Sequence, residues 1–342
     1  MKLGFITKAI LSSATAAAIS LSATSAMAAD NRDYILATAS TGGTYYPVGV
    51  AIATLSKVKL TPKYGFSLSA ISSAGSGENV KLIREDQAQF AILQGLYGAW
   101  AWGGEGPFKS SGKQTELRSV SMLWQNVEHF VLKTDLVKTG TISDLKALEG
   151  SNNKFSIGAK NSGTEGSGRQ QLKGLNIDPD KFNLAHMGYG PSADAMQNGN
   201  IEGMNTPAGV PVSAVTRLYA SMSGKVKVLD FTDEQMKQAN GDYDLWTRYV
   251  IPANTYPGQT KEINTIAQPN FLVTHAGMSE DDVYQLTKAL YENLTYLSAI
   301  HKATSVMSIE KAIAGLPVPL HPGAAKYYRE RGIEIPARLV AK

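Results

Sequence analysis

The 342-residue chain contains no cysteine. Disulfides, thiolate metal sites, cysteine nucleophiles and a lipid-modified N-terminal cysteine are therefore excluded, and stability has to come from burial. Charge of either sign is also in short supply. There are 33 Lys and Arg against 29 Asp and Glu, a net charge of +4, which drops to about +2 once Lys2 and Lys8 are set aside. A field that weak argues against nucleic acid or an anionic membrane as partner. Beyond residue 28 no run is long and apolar enough to cross a bilayer. Catalytic signatures are scarce as well: there is no G-x-S-x-G, no G-x-x-x-x-G-K-[ST], and no G-x-G-x-x-G opening a helix after a strand. Ser110-Ser111-Gly112-Lys113 matches S-x-x-K and Lys138-Thr139-Gly140 matches K-T-G, but fewer than thirty residues separate them and the S-D-N element is missing. They read as chance matches. The five histidines, His129, His186, His275, His301 and His321, have no metal-ligand spacing. We expect neither an enzyme nor a cofactor.

What is present begins with an export pattern. Lys2 and Lys8 mark a basic start, Ala9 to Ser22 is mildly apolar, and Ala26-Met27-Ala28 has the small-x-small form of a cleavage site. A mature chain starting near Ala29 has about 310 residues, a length at which one core usually splits into two.

The rest of the chain is organised around Thr41-Gly42-Gly43-Thr44-Tyr45-Tyr46-Pro47. An apolar run, Tyr34 to Ala39, precedes it and an amphipathic one, Val48 to Val58, follows. This reads as strand, glycine turn and helix, with the helix expected to begin at Pro47. Its unpaired N–H groups and dipole favour an anion, although a plain capped turn reads equally well. The pattern recurs at Phe66–Ala70 with Ser72 to Gly77, and at Phe90–Leu93 with Gln94-Gly95. It returns at Lys154–Ile157 with the loop Gly158 to Gly168. Arg118–Leu123 and Val127–Leu132 read as strands separated by Trp124-Gln125-Asn126. Val283, Leu286, Leu290, Leu294 and Leu297 share one helical face. Pro269 places Ile263–Thr274 at an edge or a crossover. Two strand-turn-helix series imply two α/β lobes, each with a row of strand-end loops.

At this point the motifs form a set. Thr41 to Pro47, Ser76-Gly77-Glu78-Asn79-Val80, Asn161-Ser162-Gly163-Thr164, Tyr256-Pro257-Gly258-Gln259 and Gly315-Leu316-Pro317 to His321-Pro322-Gly323-Ala324-Ala325 follow one another in order. In this the sequence resembles the TAXI family of TRAP-transporter solute receptors over almost the whole mature chain. The resemblance implies a periplasmic, non-enzymatic protein with a type II-like two-lobed fold and the ligand cleft between the lobes. It implies lobe I from residues 29–132 and 257–342, and lobe II from 133–256. It also implies a small carboxylate solute such as glutamate or 2-oxoglutarate, TRAP permease membrane subunits as partner, and no nucleic acid. A monomer is the default. A receptor for an ATP-driven importer or a sensor kinase is the alternative, and a periplasmic hydrolase a second. Ser73-Ala74, Gly77, Gln94 to Tyr97 and Asn161 depart from the family pattern and leave the solute open.

From the first lobe the expected ligand contacts are Thr41, Gly43, Thr44 and Tyr45, with Ser73 and Gln94 behind them. From the second they are Ser162, Gly163 and Thr164. Ser162-Gly163-Thr164-Glu165 also reads as a capping box, and Glu165 could instead face an ammonium group. Asn126 lies near the inferred crossover, and Tyr189 and Asn205 follow strands in the second lobe; all three are further candidates. Trp124 reads at least as well as core.

Overall fold

The apolar runs assemble into two sheets in a computed structural model that describes residues 31–341. The expected export signal, residues 1–28, lies outside the described residues. In the first sheet β1 (Arg32–Ala37) pairs in parallel with β2 (Phe66–Ile71) and β3 (Phe90–Gln94). Parallel neighbours need crossovers, supplied by α1 (Tyr45–Lys59) with the short α2 (Thr61–Tyr64), and by α3 (Ser76–Arg84). Next, α4 (Gly95–Gly103) leads to β4 (Leu117–Val127). The second sheet starts at β5 (Phe130–Lys133) and continues through β6 (Lys154–Ser156), α5 (Gly163–Gly174), β7 (Asn183–Ala185) and α6 (Tyr189–Gln197). It ends with β8 (Gly203–Asn205), α7 (Ser213–Ser221), β9 (Val226–Val228) and α8 (Asp233–Asn240). β10 (Thr247–Ile251) and β11 (Ile263–His275) return to the first sheet. There α9 (Glu280–Glu292), α10 (Leu294–Ile300) and α11 (Pro322–Glu330) pack. The strand orders are β10-β11-β3-β1-β2, with β4 also on β11, and β7-β6-β8-β5-β9.

Several boundaries differ from the sequence reading. Trp124-Gln125-Asn126 does not separate two strands: β4 runs through it because Pro269, Gln268 and Ala267 of β11 pair with Gln125, Asn126 and Val127. Phe130–Leu132, expected in lobe I, pairs with β8 and β9, so the change of sheet falls at Glu128–His129. On the return, β10 pairs with β11, which puts residues 247–251 in the first sheet rather than the second. The helix after the glycine turn begins at Tyr45, two residues before Pro47, since the first helical turn has no acceptor for the missing N–H anyway. The apolar face starting at Val283 is split at Asn293, whose φ of −131° ends α9 before α10 begins. Pro269 lies inside β11, at an irregularity in its register with β4 and just beyond the stretch paired with β10; pairing with β3 begins one residue later, at Asn270.

Each sheet has an apolar filling. Leu36, Val48, Ile52, Phe66, Phe90 and Phe271 are buried around the first. In the second, Phe130 stacks on Phe155 and packs against Phe231. The passage between the sheets is polar by contrast. Glu128 is fully buried, and its Oε1 accepts from Gln171 Nε2 of α5 (2.7 Å) and from Trp246 Nε1 (3.2 Å). Burial pushes its carboxyl up to about 7. No ion pair among the described residues involves it, and Oε2 has no partner.

An acid whose native pKa is raised binds more protons folded than unfolded between pH 4.5 and 7, so its contribution to stability is lost as pH rises through that window. The shift corresponds to at most about 3 kcal/mol. Buried His129, lowered to about 4, acts in the opposite sense, losing stability as pH falls from 6.5. Urea midpoints of the wild type and Glu128→Gln at pH 5 to 8 separate the two effects. We expect Glu128→Gln to gain on the wild type as pH rises; a constant difference would show that Glu128 titrates normally.

Candidate ligand-binding site

Four helices begin at one cavity. From the first sheet come α1, entered through Gly43-Thr44, and α3, entered through Gly75; from the second come α5, entered through Ser162, and α6, entered through Gly188. The cavity encloses about 30 Å3 of free space and is lined by these turns together with Ala39, Ser40, Gln94, Asn126, Pro207 and Ala208. Its walls contain no Asp, Glu, Lys, Arg or His. Small residues at the turns leave the main chain facing the space. The N–H groups of Thr44, Tyr45, Ser76, Gly163 and Thr164 find no acceptor in the protein among the described residues. Each helix start carries roughly half a positive charge, so the four favour an anion without a charged side chain.

The two sheets meet around the cavity. Gln94 Nε2 donates to Gly163 O (2.7 Å), Tyr97 Oη to Ser162 O (3.0 Å) and the Glu78 N–H to Asn161 O (3.2 Å). On the opposite rim Thr44 Oγ1 donates to Gly209 O (3.0 Å), and Tyr189 N–H to Ser40 Oγ (3.3 Å). Tyr189 Oη donates to Pro207 O (2.6 Å) and lies 2.8 Å from Thr164 Oγ1. Burial raises the phenols of Tyr45 and Tyr189 above their usual range, so both remain hydrogen-bond donors at any physiological pH.

The structure brings nine of the expected residues to the cavity wall: Gly43, Thr44, Tyr45, Gln94, Asn126, Ser162, Gly163, Thr164 and Tyr189. Four lie elsewhere. Thr41 is exposed, one turn too early. Ser73 holds its own loop, accepting from Gly75 N–H (3.0 Å) with its hydroxyl 2.6 Å from Asn79 Oδ1. Asn205 is buried behind the first turn of α5, its Nδ2 3.5 Å from Thr164 O. Glu165 faces an outer groove, where it lies 3.5 Å from both Arg169 Nε and His186 Nδ1, so it cannot meet an ammonium in the cavity. Its Oε2 accepts from Asn161 N–H, one residue beyond a capping box, while Ser162 Oγ accepts from Glu165 N–H (3.0 Å). Ser162 thus caps α5 and lines the cavity at once. Ser40, Ser76 and Gly188 also line the cavity but were not among the expected contacts. A usable signal existed: Gly75-Ser76-Gly77-Glu78 echoes Ser162-Gly163-Thr164-Glu165, and Glu78 likewise reaches back, to Ala74 N–H. The K-T-G match is structural, since the N–H groups of Lys138, Thr139 and Gly140 all bind the Asp144 carboxylate.

Two sheets linked at their crossovers, with a cavity between facing helix starts, are the mixed α/β fold of periplasmic solute-binding proteins. The chain belongs to the NMT1-like family, whose sequence profile it matches over residues 36–332. Among solved structures it resembles MatC from Rhodopseudomonas palustris with bound malate, with a TM-score of 0.55 and 16% identity over 88% of this chain and 97% of that one. A protein from Bordetella bronchiseptica RB50 gives 0.52 and 13% identity over 90% and 91%. The periplasmic aliphatic sulphonate binding protein SsuA from Escherichia coli gives 0.43 and 13% over 87% and 83%.

The contact at Gly77 provides a test of closure. A Cβ there would stand 2.2 Å from Asn161 O, a backbone atom of the other sheet. Alanine is otherwise favourable in a helix. Gly77→Ala is therefore expected to fold with unchanged or higher ligand-free stability but to be more expanded than the wild type by small-angle scattering. Identical scattering profiles would show that the close approach is not limiting.

Proposed function

We propose that this protein is a periplasmic receptor that encloses a small carboxylate between two lobes and delivers it to a membrane transporter. The observation that carries this reading is the convergence of four helix starts, with five unpaired N–H groups, on a cavity without charged side chains. A carboxylate accepts several such bonds at once, and exclusion of water strengthens each of them. The first-sheet segments, 31–127 with 247–341, form one lobe and the segment between them the other, with Glu128–His129 as one link. Glutamate, 2-oxoglutarate and similar acids are the candidates, and each needs the lobes to part, because only about 30 Å3 of free space lies between them in this structure. The malate in the MatC structure supports the same chemistry. The motifs shared with TAXI receptors favour a TRAP permease as the partner that reads the closed form, with the receptor itself acting as a monomer and without turnover. Among the described residues no helix is long and apolar enough to cross a membrane.

A thermal-shift panel of small mono- and dicarboxylates on the refolded protein tests this. One-site binding at about a hundred times Kd adds about 2.7 kcal/mol, a rise of a few degrees for a chain of this size. We expect such a rise with at least one carboxylate, and the same rise for Lys160→Ala, because the anion is held without a cation. If only cationic or sugar solutes raise the melting point, the carboxylate reading is wrong.

A further inference from the structure

The cavity's side-chain amides have their orientations fixed from one end. Gln94 Nε2 donates to Gly163 O (2.7 Å), and a carbonyl can only accept, so the opposite end of the Gln94 amide must be its oxygen. Gln94 Oε1 then accepts from Asn126 Nδ2 (3.1 Å), which in turn fixes Asn126. The relay ends at Asn126 Oδ1, a buried acceptor with no partner, on a residue only 2% exposed that lines the cavity. An unsatisfied buried acceptor is costly, yet turning Asn126 would set its oxygen against Gln94 Oε1, and turning Gln94 would break its bond to Gly163 O across the sheets.

Around it the wall is rich in donors: five free N–H groups and the Ser40 and Ser162 hydroxyls, which accept from Tyr189 N–H and Glu165 N–H and keep their own hydrogens. The donors suit an oxyanion; the two wall phenols have already donated, Tyr45 Oη to Asn270 Oδ1 and Tyr189 Oη to Pro207 O, and Asn126 Oδ1 is the wall amide oxygen left needing a donor. An ammonium is a poor fit, since no wall residue carries a carboxylate and a buried cation requires one. A hydroxyl is neutral and needs a single acceptor. Resting on the receptor reading above, we infer that the solute is a hydroxycarboxylic acid whose hydroxyl donates to Asn126 Oδ1, and that Asn126 selects it against the matching deoxy, keto and amino acids. A keto oxygen would oppose Asn126 Oδ1 acceptor to acceptor, and a methylene would leave it unpaired.

The test is calorimetric titration of the refolded full chain with sets of acids sharing one skeleton: succinate, malate, oxaloacetate and aspartate, then glutarate, 2-hydroxyglutarate, 2-oxoglutarate and glutamate. In the skeleton that binds best, the hydroxy acid is expected to bind about ten- to a hundred-fold more tightly than its deoxy and keto partners. In Asn126→Ala this preference should fall to within about threefold while the deoxy acid still binds. The wild-type comparison stands alone if Asn126→Ala does not fold. Equal affinities across a set, or a tighter amino acid, overturn the inference while leaving a carboxylate receptor intact. Binding of none of these acids, together with no rise from any acid of the thermal-shift panel, would overturn the carboxylate reading and this inference with it. A hydroxyl preference that survives in Asn126→Ala would assign the donor to another acceptor and overturn the role of Asn126.

Discussion

Everything around the cavity depends on the two sheets being able to touch main chain to main chain. The donors that face the cavity belong to the backbone, and a backbone donor reaches a shared ligand only where no side chain holds the lobes apart. That is why the contact surfaces are built from Gly77, Gly163 and Gly166. A Cβ at Gly77 would collide with Asn161 O, and one at Gly166 with Tyr97 Oη, each at 2.2 Å. Gln94 and Tyr97 can then bond directly to carbonyls in the first turn of α5. The same closeness leaves only about 30 Å3 of free space between the turns.

With charged side chains absent from the wall, selectivity shifts from Coulombic strength to arrangement. An arginine fork would attract many anions from a distance, whereas N–H groups at helix starts act mainly within the first turn and count most once water is expelled. The tyrosines on the wall fit this scheme. Tyr45 and Tyr189 are held neutral by burial, so they contribute dipoles and no competing charge. Fixed dipoles also need little reorganisation when the anion arrives, which lowers the ordering cost of binding.

Much of this was legible in the sequence because turn chemistry is local. Thr41 to Pro47 and Ser162 to Glu165 announce glycine turns before helices, and both turns end at the cavity. What could not be read was tertiary. Whether Glu165 looked inward depended on His186, which is distant in sequence but lies 3.5 Å away. Asn205 looked like a free strand-end amide because nothing local shows that α5 packs over it. The sheet boundary was missed for a related reason: Trp124 to Asn126 carries turn-like polarity, but it is held extended by β11, more than a hundred residues later.

The crossover adds a constraint that neither lobe has alone. Glu128 stands where the chain changes sheets, and its carboxyl is shared by Gln171 of α5 and by Trp246 at the returning strand. Any hinge motion that draws α5 away from the first sheet must stretch one of these bonds or admit water to the carboxyl. Gln171 Oε1 and Glu128 Oε2 are both unpaired. The carboxyl's raised pKa and the two orphaned acceptors thus have one physical origin: the crossover has been dried by packing without being given a cation. Its carboxyl therefore depends on Gln171 and Trp246 both staying in place, one on each side of the passage between the sheets.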